Sequence, residues 1–279
     1  MRQAAYDRSD IVADFASRDS LMPAEFVALG EVWPQVRGDV LDVGVGAGRT
    51  TGYLRGIARS YRAQDISERM AEACRTRHPG VDVGVGDART LDGHADAAYD
   101  LVLFSFNGID YVEHAERRQV LAAAFRVLRP GGAFVYSSHN VGVLGGRLPP
   151  VKPVRVAPSP NPLRMALRGA RSIATALRRH RNRRRLGHRQ YLADGHALVN
   201  DEAYDHALLT VYVCPARERA ELAAAGFGHT MTVDAAGRLD PGEHPDPWVY
   251  FVARKPLEAA AAVAAPASPT VGLAAVAGR

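Results

Sequence analysis

Val40-Leu41-Asp42-Val43-Gly44-Val45-Gly46-Ala47-Gly48-Arg49-Thr50 is the stretch that decides the fold. A short apolar run ending in three alternate glycines is what a buried parallel strand needs where it turns into a helix. Glycine lets the backbone turn tightly and approach a ligand, and the helix N-terminus behind it favours negative charge. A dinucleotide turn of the G-x-G-x-x-G kind would place its third glycine at position 49, where Arg49 stands. The acidic-x-G-x-G-x-G spacing is one residue shorter and favours a smaller nucleoside ligand over NAD.

Upstream, residues 6–36 read as helices, with Ile11, Phe15, Phe26, Val27, Leu29 and Val32 at helical spacing and Pro23 suited to a first turn. Downstream, a helix is predicted from about Arg49. Strands are predicted near 61–64, 81–85, 99–106 and 133–138, with helices starting after Ser67 and over 119–128. This alternation predicts an α/β protein with a doubly wound, mostly parallel sheet, and a ligand site outside the carboxyl ends of the strands. The pattern breaks over 141–207. Six prolines fall between Pro149 and Pro162, followed by a helix over 163–177 whose Leu163, Leu167, Ala170, Ala174 and Leu177 share one face and whose Arg164, Arg168, Arg171 and Arg178 share another. A strand over 208–213, a helix over 215–225 and strands over 230–233 and 248–253 then close the sheet. The expected organisation is an N-terminal helical lid (1–37), a ligand-binding core (38–140), an inserted basic recognition segment (141–207), completion of the sheet (208–256) and a disordered Ala/Pro-rich tail (257–279).

Three further groups fall at strand ends. Asp65 can accept from both hydroxyls of a ribose, with Ile66 and Met70 beside it to cover an adenine. Gly86-Asp87-Ala88-Arg89 places a carboxylate where an exocyclic amine would lie, and Phe104-Ser105-Phe106-Asn107 ends the most apolar strand over the same cleft. With the stretches Leu41-Asp-Val-Gly-Val-Gly-Ala-Gly-Arg-Thr, Asp65-Ile-Ser-Glu-Arg-Met, Gly86-Asp-Ala, Tyr99-Asp-Leu-Val-Leu and Val127-Leu-Arg-Pro-Gly-Gly, the sequence resembles the class I S-adenosylmethionine-dependent methyltransferases over roughly residues 38–138 and 215–255. The resemblance implies a seven-stranded, Rossmann-like sheet with an antiparallel last strand; by its position between strand five and the closing strands, the 141–207 segment is expected to be an inserted lid over the cleft. It further implies S-adenosyl-L-methionine as cofactor, leaving as S-adenosyl-L-homocysteine. Asp42 with Gly44, Gly46, Gly48 and Arg49 would hold the methionine portion, Asp65 the ribose, and Asp87 and Ala88 the adenine, with Phe104 and Ser105 lining the centre. Tyr6 and Arg18 look like lid residues over the methionine carboxylate.

Displacement at a sulfonium methyl depends mainly on holding the acceptor in line, about 3–3.5 Å away, and excluding water. A base matters only for an acceptor that starts protonated. Asp110, Tyr111 and His139 are the catalytic candidates, with Asn107 and Asn140 as acceptor contacts. Residues 107–110 depart from the Asn/Asp-Pro-Pro-aromatic signature of enzymes that methylate nucleobase nitrogens, and no Asp-Asp-Asn constellation is visible. The expectation is therefore a metal-independent enzyme acting on a small molecule or short peptide. An amine acceptor is favoured because no acid/base dyad is evident in the sequence. An RNA methyltransferase and a non-catalytic cofactor-binding module are the alternatives.

Charge is segregated. The chain has 35 Lys and Arg against 30 Asp and Glu, yet 17 of the bases and none of the acids lie between Arg117 and Ala193. Arg178–Arg185 could meet nucleic acid, an acidic acceptor, an anionic membrane surface, solvent or the protein's own acidic remainder. With no aromatic between Leu163 and Gln190, nucleic acid is disfavoured. Cys74 and Cys214 read as apolar fillers, and the N-terminus carries no signal-like apolar run, so a cytoplasmic protein without a membrane span is expected; oligomeric state is left open.

Overall fold

The computed structural model describes residues 6–150, 153–154, 158–241 and 245–257; the tail expected from 257 onward lies almost entirely outside them. Helices α1 (Ser9–Ala16), α2 (Pro23–Glu31) and α3 (Trp33–Val36) lead into strand β1 (Asp39–Val43). Next come α4 (Thr51–Leu54), β2 (Ser60–Asp65), α5 (Glu68–Arg77), β3 (Asp82–Val85), β4 (Tyr99–Phe104), α6 (Arg117–Val127) and β5 (Leu128–Asn140). The insertion holds α7 (Pro162–Leu186) and strands β6 (Tyr191–Ala193) and β7 (His196–Val199), followed by β8 (Thr210–Val213), α8 (Pro215–Ala224), β9 (Thr230–Val233) and β10 (Trp248–Arg254).

Strands β3-β2-β1-β4-β5 are parallel neighbours, β10 runs antiparallel along β5, and β9 runs antiparallel along β10. These seven form the expected Rossmann-like sheet. Alternation along the strands gives it two covered faces. Leu41, Val43, Val102, Phe104, Phe134 and Tyr136 pack toward α6, whereas Val40, Leu101, Leu103 and Val135 pack toward α2 and α3. Ser67 caps α5 as its sequence predicts, its Oγ accepting from the Met70 amide at 3.2 Å. The helix predicted from Arg49 shrinks to one turn, because Gly52 and Gly56 fall in its length and each costs a helix about 1 kcal/mol.

The strand expected over 208–213 forms over Thr210–Val213, but its neighbour β7 is a strand the sequence reading did not foresee. Its hairpin with β6 turns at Asp194-Gly195, an Asp-Gly signal with Gly195 at φ +75°. The meander joins the sheet where β8 lies parallel to β5 at His139↔Tyr212 and Asn140↔Val213. Since β10 already pairs His139 from one side through Trp248, β8 sits on the β4 side, beyond the last β4 pair, Phe104↔Tyr136. The 13-residue β5 thus overhangs β4, and the meander caps the carboxyl edge at that overhang.

Candidate active site

A cavity of about 850 Å³ opens at the carboxyl edge of β1, β2 and β4. Gly44 and Gly46 line it in left-handed conformations, φ +64° and +57°. A Cβ on Gly44 would stand 2.5 Å from Phe104 Cε2, and one on Gly46 would stand 3.2 Å from Phe15, so only glycine leaves this cradle open. Asp65 closes one end; its Oδ2 accepts from the Gly46 amide at 2.9 Å and its Oδ1 from the Ser67 amide at 2.8 Å. Burial raises its pKa to about 6 against those stabilising amides. Ile66 and Met70 flank it, and Asp87 and Ala88 stand at the next strand end. The Asp87 carboxylate is engaged by Arg89, which also reaches Glu116 at 2.7 Å. Phe104 and Ser105 form the floor.

An aromatic cluster roofs the cavity. Tyr6 packs edge-on against Phe15, Tyr111 and Tyr204 at 5.6–6.4 Å, and Phe15 meets Phe106. Phe106 and Asn107 are both left-handed, a costly conformation for residues with a Cβ, held here by the Asn107 amide donating to Ser137 Oγ at 2.8 Å. Phe106 belongs to the strand end expected over the cleft, whereas Phe15 and Tyr204 were not expected there; Phe15 has the spacing of a core residue, and Tyr204 lies in the insertion.

Four expected cofactor residues fall outside the cavity wall. Asp42 is buried and turned to Thr50 Oγ1 (2.5 Å) and Tyr61 OH (2.7 Å), with burial lifting its pKa to about 6. Gly48 is required instead by packing: a Cβ there would strike His78 and Cys74. Arg49 grips the buried Glu25 at 2.5 and 2.8 Å, joining α2 to the glycine turn. Arg18 pairs with Asp14 and rests over the Phe106 ring at 4.9 Å. Of the cysteines, Cys74 is buried and Cys214 is only half-buried.

Tyr111, kept protonated by burial, walls both this cavity and a second one of about 560 Å³. Leu198, Leu208 and Leu209 line the second cavity with Arg185, Leu186 and Arg189. Beneath Tyr111 lies a dyad the sequence reading did not find. The buried Asp110 accepts from His139 Nδ1 and from the His139 amide, both at 2.7 Å, from Ser138 Oγ, and from Arg117 at 2.9 Å. Arg117 in turn bridges to Glu218 at 2.7 Å. His139 is on neither cavity wall; its ring meets Trp248, which meets Phe106. Asn140 caps the next turn through the Gly142 amide and donates to the Asp246 carbonyl, and Asn107 Oδ1 is buried without a hydrogen-bond partner. Neither asparagine lines either cavity. No group of three His, Cys, Asp or Glu among the described residues could hold a metal.

Residues 40–132 match a family described as a methyltransferase domain. The sequence is 33% identical over 117 residues to a probable S-adenosylmethionine-dependent methyltransferase of Mycolicibacterium smegmatis, covering 41% of this chain and 44% of that one. It is 33% identical over 106 residues to the demethylmenaquinone methyltransferase of Renibacterium salmoninarum, covering 38% and 43%. Over residues 40–132 the chain is similar to S-adenosylmethionine-dependent methyltransferases. Its alignment spans less than half the length of these curated relatives. Solved methyltransferases share the fold at low identity. A Streptomyces caelestis methyltransferase superposes with TM-score 0.56 at 17% identity, over 92% of this chain and 99% of its own. The Burkholderia thailandensis 1,6-didemethyltoxoflavin N1-methyltransferase, solved with S-adenosylhomocysteine, gives 0.52 at 17%, over 91% and 88%. The glycine turn and Asp65 fall within the matched residues, while the roof residues Tyr6, Phe15 and Tyr204 fall outside them.

Proposed function

We propose that the protein transfers a methyl group to a nitrogen or oxygen of a small molecule admitted through the second cavity. The observation that carries this is the pair of cavities sharing Tyr111 and Val112 as their common wall. The first suits S-adenosylmethionine: its glycine cradle would be filled by any Cβ, its walls are apolar, and the Asp65 carboxylate is aimed along one side. Gly44, Gly46, Asp65, Ile66, Met70 and Ala88 are the residues that would hold the cofactor. When bound, it supplies an activated methyl group on a sulfonium sulfur, so the chemistry calls on no metal ion. The protein's own task is to orient the acceptor against Tyr111 and to exclude water beneath the aromatic roof.

Leu186, Leu198, Leu208 and Leu209 favour an acceptor with an apolar body, and Arg185 and Arg189 favour an anionic end. The preference for an amine rested on the lack of an acid/base dyad. Asp110 and His139 supply one, which brings an oxygen acceptor into equal standing. Asp110 holds His139 by Nδ1, the arrangement of a general base, and the Trp248–Phe106 ring contacts lead from it to the cavity. A cytoplasmic setting belongs to this reading, and among the described residues no helix is long and apolar enough to cross a membrane.

S-adenosylhomocysteine at about 100 times its dissociation constant stabilises a protein by about 2.7 kcal/mol, a readily measured rise in melting temperature. Absence of any shift removes the cofactor and with it the function. Once an acceptor is found, His139→Ala separates the two chemistries. A roughly 10²–10⁴-fold fall in kcat marks a protonated oxygen acceptor, and an unchanged kcat marks an amine arriving neutral.

A further inference from the structure

Helix α7 wears its apolar stripe on the outside. At 100° per residue, Leu163, Leu167, Ile173 and Leu177 fall in one stripe roughly 120° wide, with Ala166, Ala170 and Ala174 between them. The four large side chains are 69%, 53%, 64% and 65% exposed. The opposite side is turned inward: Arg178 and Arg179 donate to the Asp205 carboxylate at 3.0 and 3.1 Å, Asn182 donates to the Asp205 carbonyl at 2.9 Å, and Leu186 is buried. A surface helix ordinarily turns its apolar stripe toward the core. Here the Asp205 contacts and the buried Leu186 fix the rotation that keeps the stripe in solvent.

Charge narrows what can cover it. The helix carries nine arginines and no Asp or Glu. Arg164 and Arg171 run along one flank, and the exposed Arg181, Arg184 and Arg185 continue the line of the leucines through the last two turns. A second copy laid on this face would set the exposed Arg181, Arg184 and Arg185 against like charges with no acid on the helix to offset them. RNA would meet the guanidiniums but leave the leucines in water, and no aromatic on α7 is available to stack on bases. An anionic bilayer satisfies both parts, taking the leucines at the acyl boundary and the guanidiniums at headgroup phosphates.

We propose that α7 is an interfacial anchor that lays this protein on an anionic lipid surface. Its C-terminal Arg185-Leu186 forms part of the second cavity's wall, so the anchored helix delivers the cavity to that surface. This last clause rests on the acceptor reading above; the anchoring does not, because lipid binding and cofactor binding are read separately.

The full chain is sedimented with phosphatidylglycerol vesicles and with phosphatidylcholine vesicles. Binding to the anionic vesicles alone, weakened by salt, is expected. Leu167→Ser/Ile173→Ser/Leu177→Ser should cut partitioning roughly ten-fold or more. Arg171→Gln/Arg181→Gln/Arg184→Gln should cost about five-fold per charge removed. All six positions are exposed, so an unchanged melting temperature and an unchanged S-adenosylhomocysteine shift verify folding in both variants. The proposal is overturned if the wild-type protein ignores anionic vesicles, if the serine variant binds them equally well, or if the stripe proves to hold a dimer that the serine variant dissolves.

Discussion

Asp65 binds the glycine turn through two backbone amides while burial raises its pKa to about 6. Ribose hydroxyls donate more strongly to the ionised carboxylate than to the protonated acid, so S-adenosylhomocysteine affinity should be flat above about pH 7 and weaken by up to ten-fold per unit below about 6, as titration calorimetry would record. Affinity unchanged to pH 5 would remove Asp65 from the site. Asp42 offers the complementary case in stability. Its folded-state pKa is raised, so the folded protein binds the proton more tightly than the unfolded chain between about 4 and 6, and ionisation opposes folding above that window. Asp42→Asn can keep accepting from Thr50 and Tyr61. It should be more stable than wild type at pH 7.5, by up to about 3 kcal/mol, with the gain vanishing near pH 4 in denaturant titrations. At Gly44 the fold tolerates no Cβ. Gly44→Ala adds left-handed strain and a clash with the Phe104 ring, and should lose about 1–3 kcal/mol of stability together with cofactor binding.

Among the elements, α6 does more than cover the sheet. Its Arg117 is buried between Asp110 and Glu218 of α8, and it also donates to the Ile109 carbonyl. Two buried carboxylates share one buried cation, and their opposite charge holds the guanidinium protonated despite desolvation. Arg117→Met should therefore destabilise by about 3–5 kcal/mol in urea unfolding, because it strands both carboxylates, and a loss below about 1 kcal/mol would show the clamp to be idle. The dyad would also suffer, since Asp110 orients His139 from this same network.

Across the whole molecule, the basic stretch divides into two populations. Arg117, Arg118, Arg126 and Arg129 are spent inside the sheet domain on Asp110, Glu218, Glu221, Asp96, Asp39 and Asp100. On α7, Arg178 and Arg179 pair with Asp205 of the insertion itself, and Arg189 just beyond reaches Glu113 at 3.5 Å. The helix is held by few contacts and forms one wall of the second cavity but none of the first. Removing residues 163–189 should abolish methyl transfer and leave S-adenosylhomocysteine binding intact; loss of both would mean the insertion supports the whole fold.

The strand–helix order, the glycine turn and the strand-end carboxylate Asp65 were all readable in the sequence, because each is specified locally by apolar periodicity or by a backbone conformation that only glycine takes without strain. Side-chain destinations were not. Asp42 and Arg49 sit within the most legible motif yet turn away from the cavity, since Thr50, Tyr61 and Glu25 offer them buried partners. The Asp110–His139 dyad, the Arg117–Glu218 bridge and the Tyr6–Tyr204 roof contact join residues separated by 29 to 198 positions, and periodicity carries no information about such pairs. The stripe on α7 shows the same divide. Its amphipathic pattern was plain in the sequence, but pattern alone points an apolar face inward. Only the tertiary packing, Arg178, Arg179 and Asn182 on Asp205 with Leu186 buried beside them, decided that it faces out.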